Sequence, residues 1–241
     1  MGRSTGDARG RRRAANVVTV ALSAGAMLAG TLLVGPAAPA RAAACPSGQV
    51  ALTFDDGPSR ASTYRILRIL KRKRVRATFF MVGRAVELHP GRARAVSQRG
   101  HKIYNHTHDH ARLTNLPNKR IRRQIWRARQ AFNRAGLRHG KVLRPPFGAI
   151  NPRVRRVARS MGYRTVRWTW DSRDWANGQT ADEIVRDVRR GLRPRANILL
   201  HDHHRMATVK ALPRIIRVAR SRGYCLGVVN RYGKVVARTR G

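Results

Sequence analysis

Five short segments of this 241-residue sequence hold most of the side chains that could do chemistry: Thr53-Phe54-Asp55-Asp56-Gly57, His106-Thr107-His108-Asp109-His110, Arg144-Pro145-Pro146-Phe147, Asp171-Ser172-Arg173-Asp174-Trp175 and Leu199-Leu200-His201-Asp202. Two adjacent carboxylates can divide the work of metal ligand and general base. The same DDGPS run is also good turn and helix-cap chemistry, and taken alone the two readings stand level. His106 and His110 are four apart, so one helical turn would bring both imidazoles to one side, able to share a metal. A carboxylate from Asp56 would complete a ligand set that leaves positions open for water and substrate. A lone histidine is more often a surface or capping residue; three alternating in one pentapeptide, with no cysteine cluster to compete, weaken that alternative. An aspartate near a histidine, as DSRDW and LLHD offer, can keep an imidazole protonated as an acid. Arg144 stands where a guanidinium could hold Asp55 ionised and oriented. Trp175 either walls the pocket or anchors its loop.

These groups need elements to aim them. Apolar, β-prone runs alternate with arginine-rich stretches of helical length, which predicts a β/α architecture on a mostly parallel sheet. Strands are expected near 50–54, 77–82, 102–104, 142–144, 165–168, 198–200 and 225–229, and helices near 62–73, 90–99, 119–135, 152–161, 181–190 and 209–221. In the third helix Ile121, Ile125, Ala128 and Phe132 form one apolar stripe under an arginine-coated face. Gly100, Gly162 and Gly223 fall between a helix and the next strand, where helix-ending glycines belong. Seven strands with intervening helices fit a closed or nearly closed barrel better than an open sheet. Asp55, Asp56, Asp109, Asp171, Asp174 and Asp202, with His106, His108, His110, His201, His203 and His204, all directly follow predicted strands, so both residue types point to the rim where barrel active sites lie.

The chain carries 52 lysines and arginines against 11 acids, a formal charge of +41. An anionic partner is the expectation, alongside plain arginine bias. With aromatic residues at 6% and no recognition motif, specific nucleic-acid binding is not expected. Arg11-Arg12-Arg13, the apolar run from Val17 to Val34 and Ala40-Arg41-Ala42 read as a signal segment over 1–44, with an uncleaved anchor as the alternative. Residues 45–241 are then one domain, monomeric and without a membrane span, in which Cys45 and Cys225 are expected to form a disulfide in an exported chain.

In order and content the five segments resemble the polysaccharide deacetylase family, also called the NodB homology domain or carbohydrate esterase family 4, over about Val50 to Val229. The resemblance implies an α/β fold, a deformed (β/α) barrel of about seven parallel strands. It implies Asp55 as base, Asp56, His106 and His110 as ligands of one divalent metal ion, and His201 as acid. Zinc is the first expectation for the ion, with cobalt or another divalent metal as alternatives. By the same resemblance Arg144 orients Asp55, Asp174 tunes His201, and the Phe147 amide contributes to the oxyanion site. Two departures are visible: Lys102 follows Gly100-His101 where the family often has an acid, and Phe147 stands where tyrosine is commoner. The expected activity is secreted, metal-dependent removal of N-acetyl groups from an extracellular glycan such as peptidoglycan or a chitin-like polymer. The alternatives are an O-deacetylating acetylxylan-type esterase and a non-catalytic cationic protein held to anionic cell-wall polymers.

Overall fold

Alternate residues of β1 (Gln49–Asp55) face opposite ways, and this alternation decides where the chemistry goes. In the computed structural model, which describes residues 45–203 and 206–237 together with Gly2, Val50, Leu52 and Phe54 pack outward against the helices. Ala51, Thr53 and Asp55 point the other way, into the barrel. The pattern repeats in β2 (Thr78–Met81), β3 (Lys102–Asn105) and β4 (Val142–Leu143): Phe79, Ile103 and Leu143 face helices, while Phe80, Tyr104 and Val142 fill the interior with Ala51 and Val229. Burying each such large apolar side chain contributes about 1.5–3 kcal/mol.

The remaining strands are β5 (Arg164–Thr165), β6 (Trp170–Asp171), β7 (Asn197–His201), β8 (Cys225–Val229) and β9 (Val235–Val236). The sheet path runs β5-β4-β3-β2-β1-β7-β6, all parallel. The sheet curls into a deformed barrel within one compact unit, Ala43–Gly241. The strand expected at 165–168 is in fact two strands of two residues each. Between them the chain crosses from one sheet edge to the other, since the Val166 N–H donates to Leu143 O and the Thr169 N–H to Asn197 O. β8 joins the first half of β1 in parallel, and β9 returns antiparallel to β8, a hairpin the sequence reading did not foresee. Gly227 makes the hairpin feasible: a Cβ there would lie 2.2 Å from Val236 O.

The helices are α1 (Thr63–Arg72), α2 (Gly83–Leu88), α3 (Pro90–Gln98), α4 (Asn118–Arg134), α5 (Pro152–Ser160), α6 (Ala181–Gly191) and α7 (Met206–Ser221). The α4 stripe is buried as expected, with Ala131 added. Helix α2 was not expected; at six residues it is too short to show a period. Gly100, Gly162 and Gly223 take φ of 69°, 79° and 76°, the left-handed conformation that ends a helix. Cys45 and Cys225 form a disulfide that fastens the residues before β1 to the start of β8. The expected signal segment lies outside the described residues, as does His204.

Candidate active site

Asp55 ends β1 and is 2% exposed, so its carboxylate needs a partner. The Arg144 guanidinium, itself fully buried, donates from Nη1 to Asp55 Oδ1 at 2.7 Å and to Thr53 Oγ1 at 2.9 Å, and from Nη2 to Asn197 Oδ1 at 3.1 Å. Its central carbon lies 3.8 Å from the Phe80 ring centre. This cage of strand residues fixes one orientation for the pair. Thr53 and Asn197 are functional supports that sequence reasoning missed, although their inward parity on β1 and β7 was available as a signal.

Asp56, one residue on, takes φ of 72°, which turns its carboxylate out of the strand direction toward two histidines. Its Oδ1 lies 3.3 Å from His106 Nε2 and 3.1 Å from His110 Nε2, and it is buried without a hydrogen bond. Burial by itself raises the Asp56 carboxyl; the two imidazoles outweigh it and hold the group well below the ordinary carboxylate range. His106 Nδ1 is 2.7 Å from Arg144 O. A carbonyl only accepts, so Nδ1 carries the proton and a neutral ring keeps its Nε2 lone pair facing Asp56. One ligand atom from each of Asp56, His106 and His110 lies within 4.8 Å of the others. An orphaned carboxylate oxygen between two imidazole nitrogens fits a divalent cation.

The histidine pair does not sit on a helical turn, as spacing suggested. Residues 106–110 form a loop in which Thr107 and His110 take φ of 69° and 55°. The loop is held from behind. Gln124 Oε1 accepts the backbone N–H of His108 and Asp109, and the His108 ring is buried with Nδ1 2.6 Å from Asp109 and Nε2 3.1 Å from Glu87. His108 therefore faces α2 and α4, away from the cleft. Of the seven non-glycine residues with positive φ among the described residues, Asp56, Thr107, His110, Phe147 and Arg173 belong to the chemical segments, where strain of this kind concentrates.

Across the cleft His201 Nδ1 is 2.7 Å from Asp174 Oδ1, while Asp174 Oδ2 accepts the His201 backbone N–H at 2.8 Å and the Thr208 hydroxyl at 2.6 Å. Burial pulls the His201 imidazole down, but the Asp174 contact, helped by the more distant Asp56 and Asp55, raises it to about 9. Asp202 faces the opposite way from His201, fully buried, accepting the hydroxyls of Ser62 and Thr63 at 2.8 Å each. Burial, opposed by those two hydroxyls, pushes Asp202 up to about 7. A Cβ on Gly57 would meet Asp202 Oδ2 at 2.5 Å, so the glycine of TFDDG admits this carboxyl behind the loop.

The cleft over these groups, about 370 Å³, is lined by Asp55, Asp56, His106, His110 and His201 with Phe147, Trp168 and Trp175. Trp175 both walls it and anchors its loop, donating from Nε1 to Asp171 at 3.2 Å. Trp168, read as the end of a strand, is the aromatic wall that sequence reasoning missed. His101, beside the Lys102 departure, is structural: its Nδ1 accepts the Ala77 N–H at 3.1 Å, and burial, with Arg76 and Arg99 nearby, lowers the ring to about 3.

Residues 43–166 match the polysaccharide deacetylase family. The chain belongs to that family. It is 36% identical over 179 residues to a peptidoglycan-N-acetylglucosamine deacetylase of Bacillus cereus, covering 73% of this chain and 83% of the relative. It is 37% identical over 188 residues to a chitooligosaccharide deacetylase of Rhizobium leguminosarum bv. trifolii, covering 73% and 87%. A solved structure of a family 4 carbohydrate esterase from Streptomyces lividans, in complex with acetate, superposes with a TM-score of 0.75 at 37% identity, over 80% of this chain and 98% of that one. As a polysaccharide deacetylase the protein is a hydrolase of carbohydrate carbon–nitrogen bonds.

Proposed function

We propose that this deacetylase is exported and metal-dependent, and that it removes N-acetyl groups from an extracellular glycan of the peptidoglycan or chitin type. The observation that carries the reading is one cleft in which Asp56, His106 and His110 converge, with Asp55 braced by Arg144 on one side and His201 braced by Asp174 on the other. Export is supported by the arginine-flanked apolar run from Val17 to Val34 and by a disulfide of the kind that persists in oxidising compartments.

Amide hydrolysis must overcome an unreactive carbonyl and a poor leaving group. Asp56, His106 and His110 would hold a divalent ion, zinc being the first choice for a two-histidine, one-carboxylate set, which would supply Lewis-acid polarisation and acidify water. Asp55, oriented by Arg144, takes the proton of the attacking water. His201, protonated at neutral pH by virtue of Asp174, delivers a proton to the departing nitrogen, so that acetate and a free amino sugar leave. The backbone amide at Phe147 contributes to holding the oxyanion, a role in which one donor is worth about 3 kcal/mol. Trp168 and Trp175 give the sugar ring apolar walls.

The test is acetate release by the mature chain from peptidoglycan, chitin oligomers and acetylxylan, with chelator and metal add-back. Activity should vanish with chelator and return with a divalent ion. Undiminished turnover in a His106→Ala/His110→Ala double variant refutes the metal site, and release from acetylxylan alone refutes the N-acetyl reading.

A further inference from the structure

The exposed Arg112 lies just beyond the histidine loop, with its guanidinium carbon 4.5 Å from the centre of the Phe147 ring. That ring in turn stands edge-on to His110, with centroids 4.7 Å apart. One aromatic ring thus separates a cation from a residue of the metal triad. Among the described residues Arg112 has no carboxylate within ion-pair distance. A guanidinium lying over an aromatic ring spends its face on the ring and keeps its in-plane N–H fork for a planar anion. Stacking also removes much of the freedom a long side chain would otherwise lose on binding, so the fork is presented ready-made.

The cleft does not stop at the triad. Asp56 and His110 line both the cavity with Phe147 and Trp175, about 370 Å³, and an adjoining one of about 280 Å³ with Arg84 and Leu88. Space on both sides of the reacting position suits a sugar within a chain rather than an isolated one, and Arg112 flanks that position by the breadth of one ring. The floor of the cleft is built of carboxylates already engaged by Arg144 and the histidines, which favours an uncharged acetamido group there. The cation stacked on Phe147 is Arg112, and its planar fork matches a singly charged planar group.

We infer that Arg112 is a specificity determinant that receives a carboxylate borne by the sugar next to the one being deacetylated, so that acidic N-acetylated glycans are preferred over neutral ones. The inference rests on the deacetylase reading proposed above and narrows it.

The probes are one oligosaccharide in two forms: N-acetylglucosamine alternating with its 3-O-lactyl ether, as the free acid and as the methyl amide. At low salt the wild-type enzyme should favour the acid by roughly three- to tenfold in kcat/KM, through KM, with the preference shrinking as salt rises. Arg112→Gln should bring the ratio to near one, losing activity on the acid and less than twofold on the amide, and Arg112→Lys should keep part of the preference. An unchanged ratio in Arg112→Gln, or equal losses on both forms, overturns the inference, the latter showing that Arg112 merely supports Phe147. Calorimetric binding of both forms to an Asp55→Asn enzyme separates the two readings. If neither form is turned over, the deacetylase reading fails, while equal affinities for acid and amide in Asp55→Asn sink the Arg112 inference whatever the turnover.

Discussion

Replacing Asp174 by asparagine keeps the size of the group and its place behind His201 but removes the charge that sets the imidazole's protonation. In the native protein His201 is raised to about 9 from 6.5, against a burial effect that acts alone in the opposite direction. Without the carboxylate the ring should titrate at or below 6.5, a change of about 2.5 pH units, on the order of 3 kcal/mol in the balance between its two forms. A general acid works only while protonated, so the alkaline limb of kcat/KM should move down by at least about 2 units. At pH 8 the protonated fraction falls from roughly nine-tenths to roughly 3%, an approximately 30-fold loss, whereas at pH 5.5 most of that loss disappears. The assay is acetate release from pH 5 to 10 for both proteins under identical metal loading, with an NMR titration of the His201 ring. Stability gives an independent sign. A folded-state pKa above the unfolded value stabilises fully below pH 6.5 and is lost as pH rises through about 9, so only the native protein should weaken across that window through this group. A limb that stays within one unit of the native one, or a loss of equal size at pH 5.5 and pH 8, would refute the assignment of His201 as the acid tuned by Asp174.

Asp202, held neutral by burial and raised from 3.8 to about 7, contributes stability that is complete below pH 3.8 and disappears as pH rises through 7, up to on the order of 4 kcal/mol. Asp202→Asn should therefore flatten the decline of Tm between pH 4.5 and pH 8; parallel Tm curves for the two proteins would count against this. The Cys45–Cys225 bond spans 180 residues, and loop-closure entropy puts its contribution at about 5 kcal/mol as an upper value. Reduction, or a Cys45→Ser/Cys225→Ser variant, should lower the urea midpoint clearly, and a midpoint unmoved by reductant would show that the bond constrains little.

Much of this arrangement is legible in the sequence because parity and scarcity both carry information. Val50, Leu52 and Phe54 alternate with Ala51, Thr53 and Asp55, so the strand that ends in Asp55 and Asp56 and the side it buries can be read directly. With so few acids in the chain, aspartates after predicted strands stand out, and Asp55, Asp56 and the DSRDW pair indeed gather about one cleft. What could not be read depends on partners distant along the chain. Nothing local says that His108 turns backward to Glu87 and Asp109 while its neighbours turn forward; the left-handed Thr107 and His110, held by Gln124, decide that. A spacing of four suggested a helix where a strained loop does the same work. Thr208 was invisible because a polar residue on a helix declares its role only when its partner, Asp174, is in place.

β1 begins the described fold yet is completed only near its end. It takes β2 from residue 78, β7 from residue 197 and β8 from residue 225 as direct neighbours, so the chain that first supplies Asp55 and Asp56 waits for nearly all the rest before they have a wall behind them. Closing contacts of such long sequence separation is slow relative to local ones. A chain halted between His110 and His201 holds the base and the metal triad but lacks the acid and the strand that packs against the base. Hydrolytic competence should therefore be absent from chains that end before β7 and arise in a single late step.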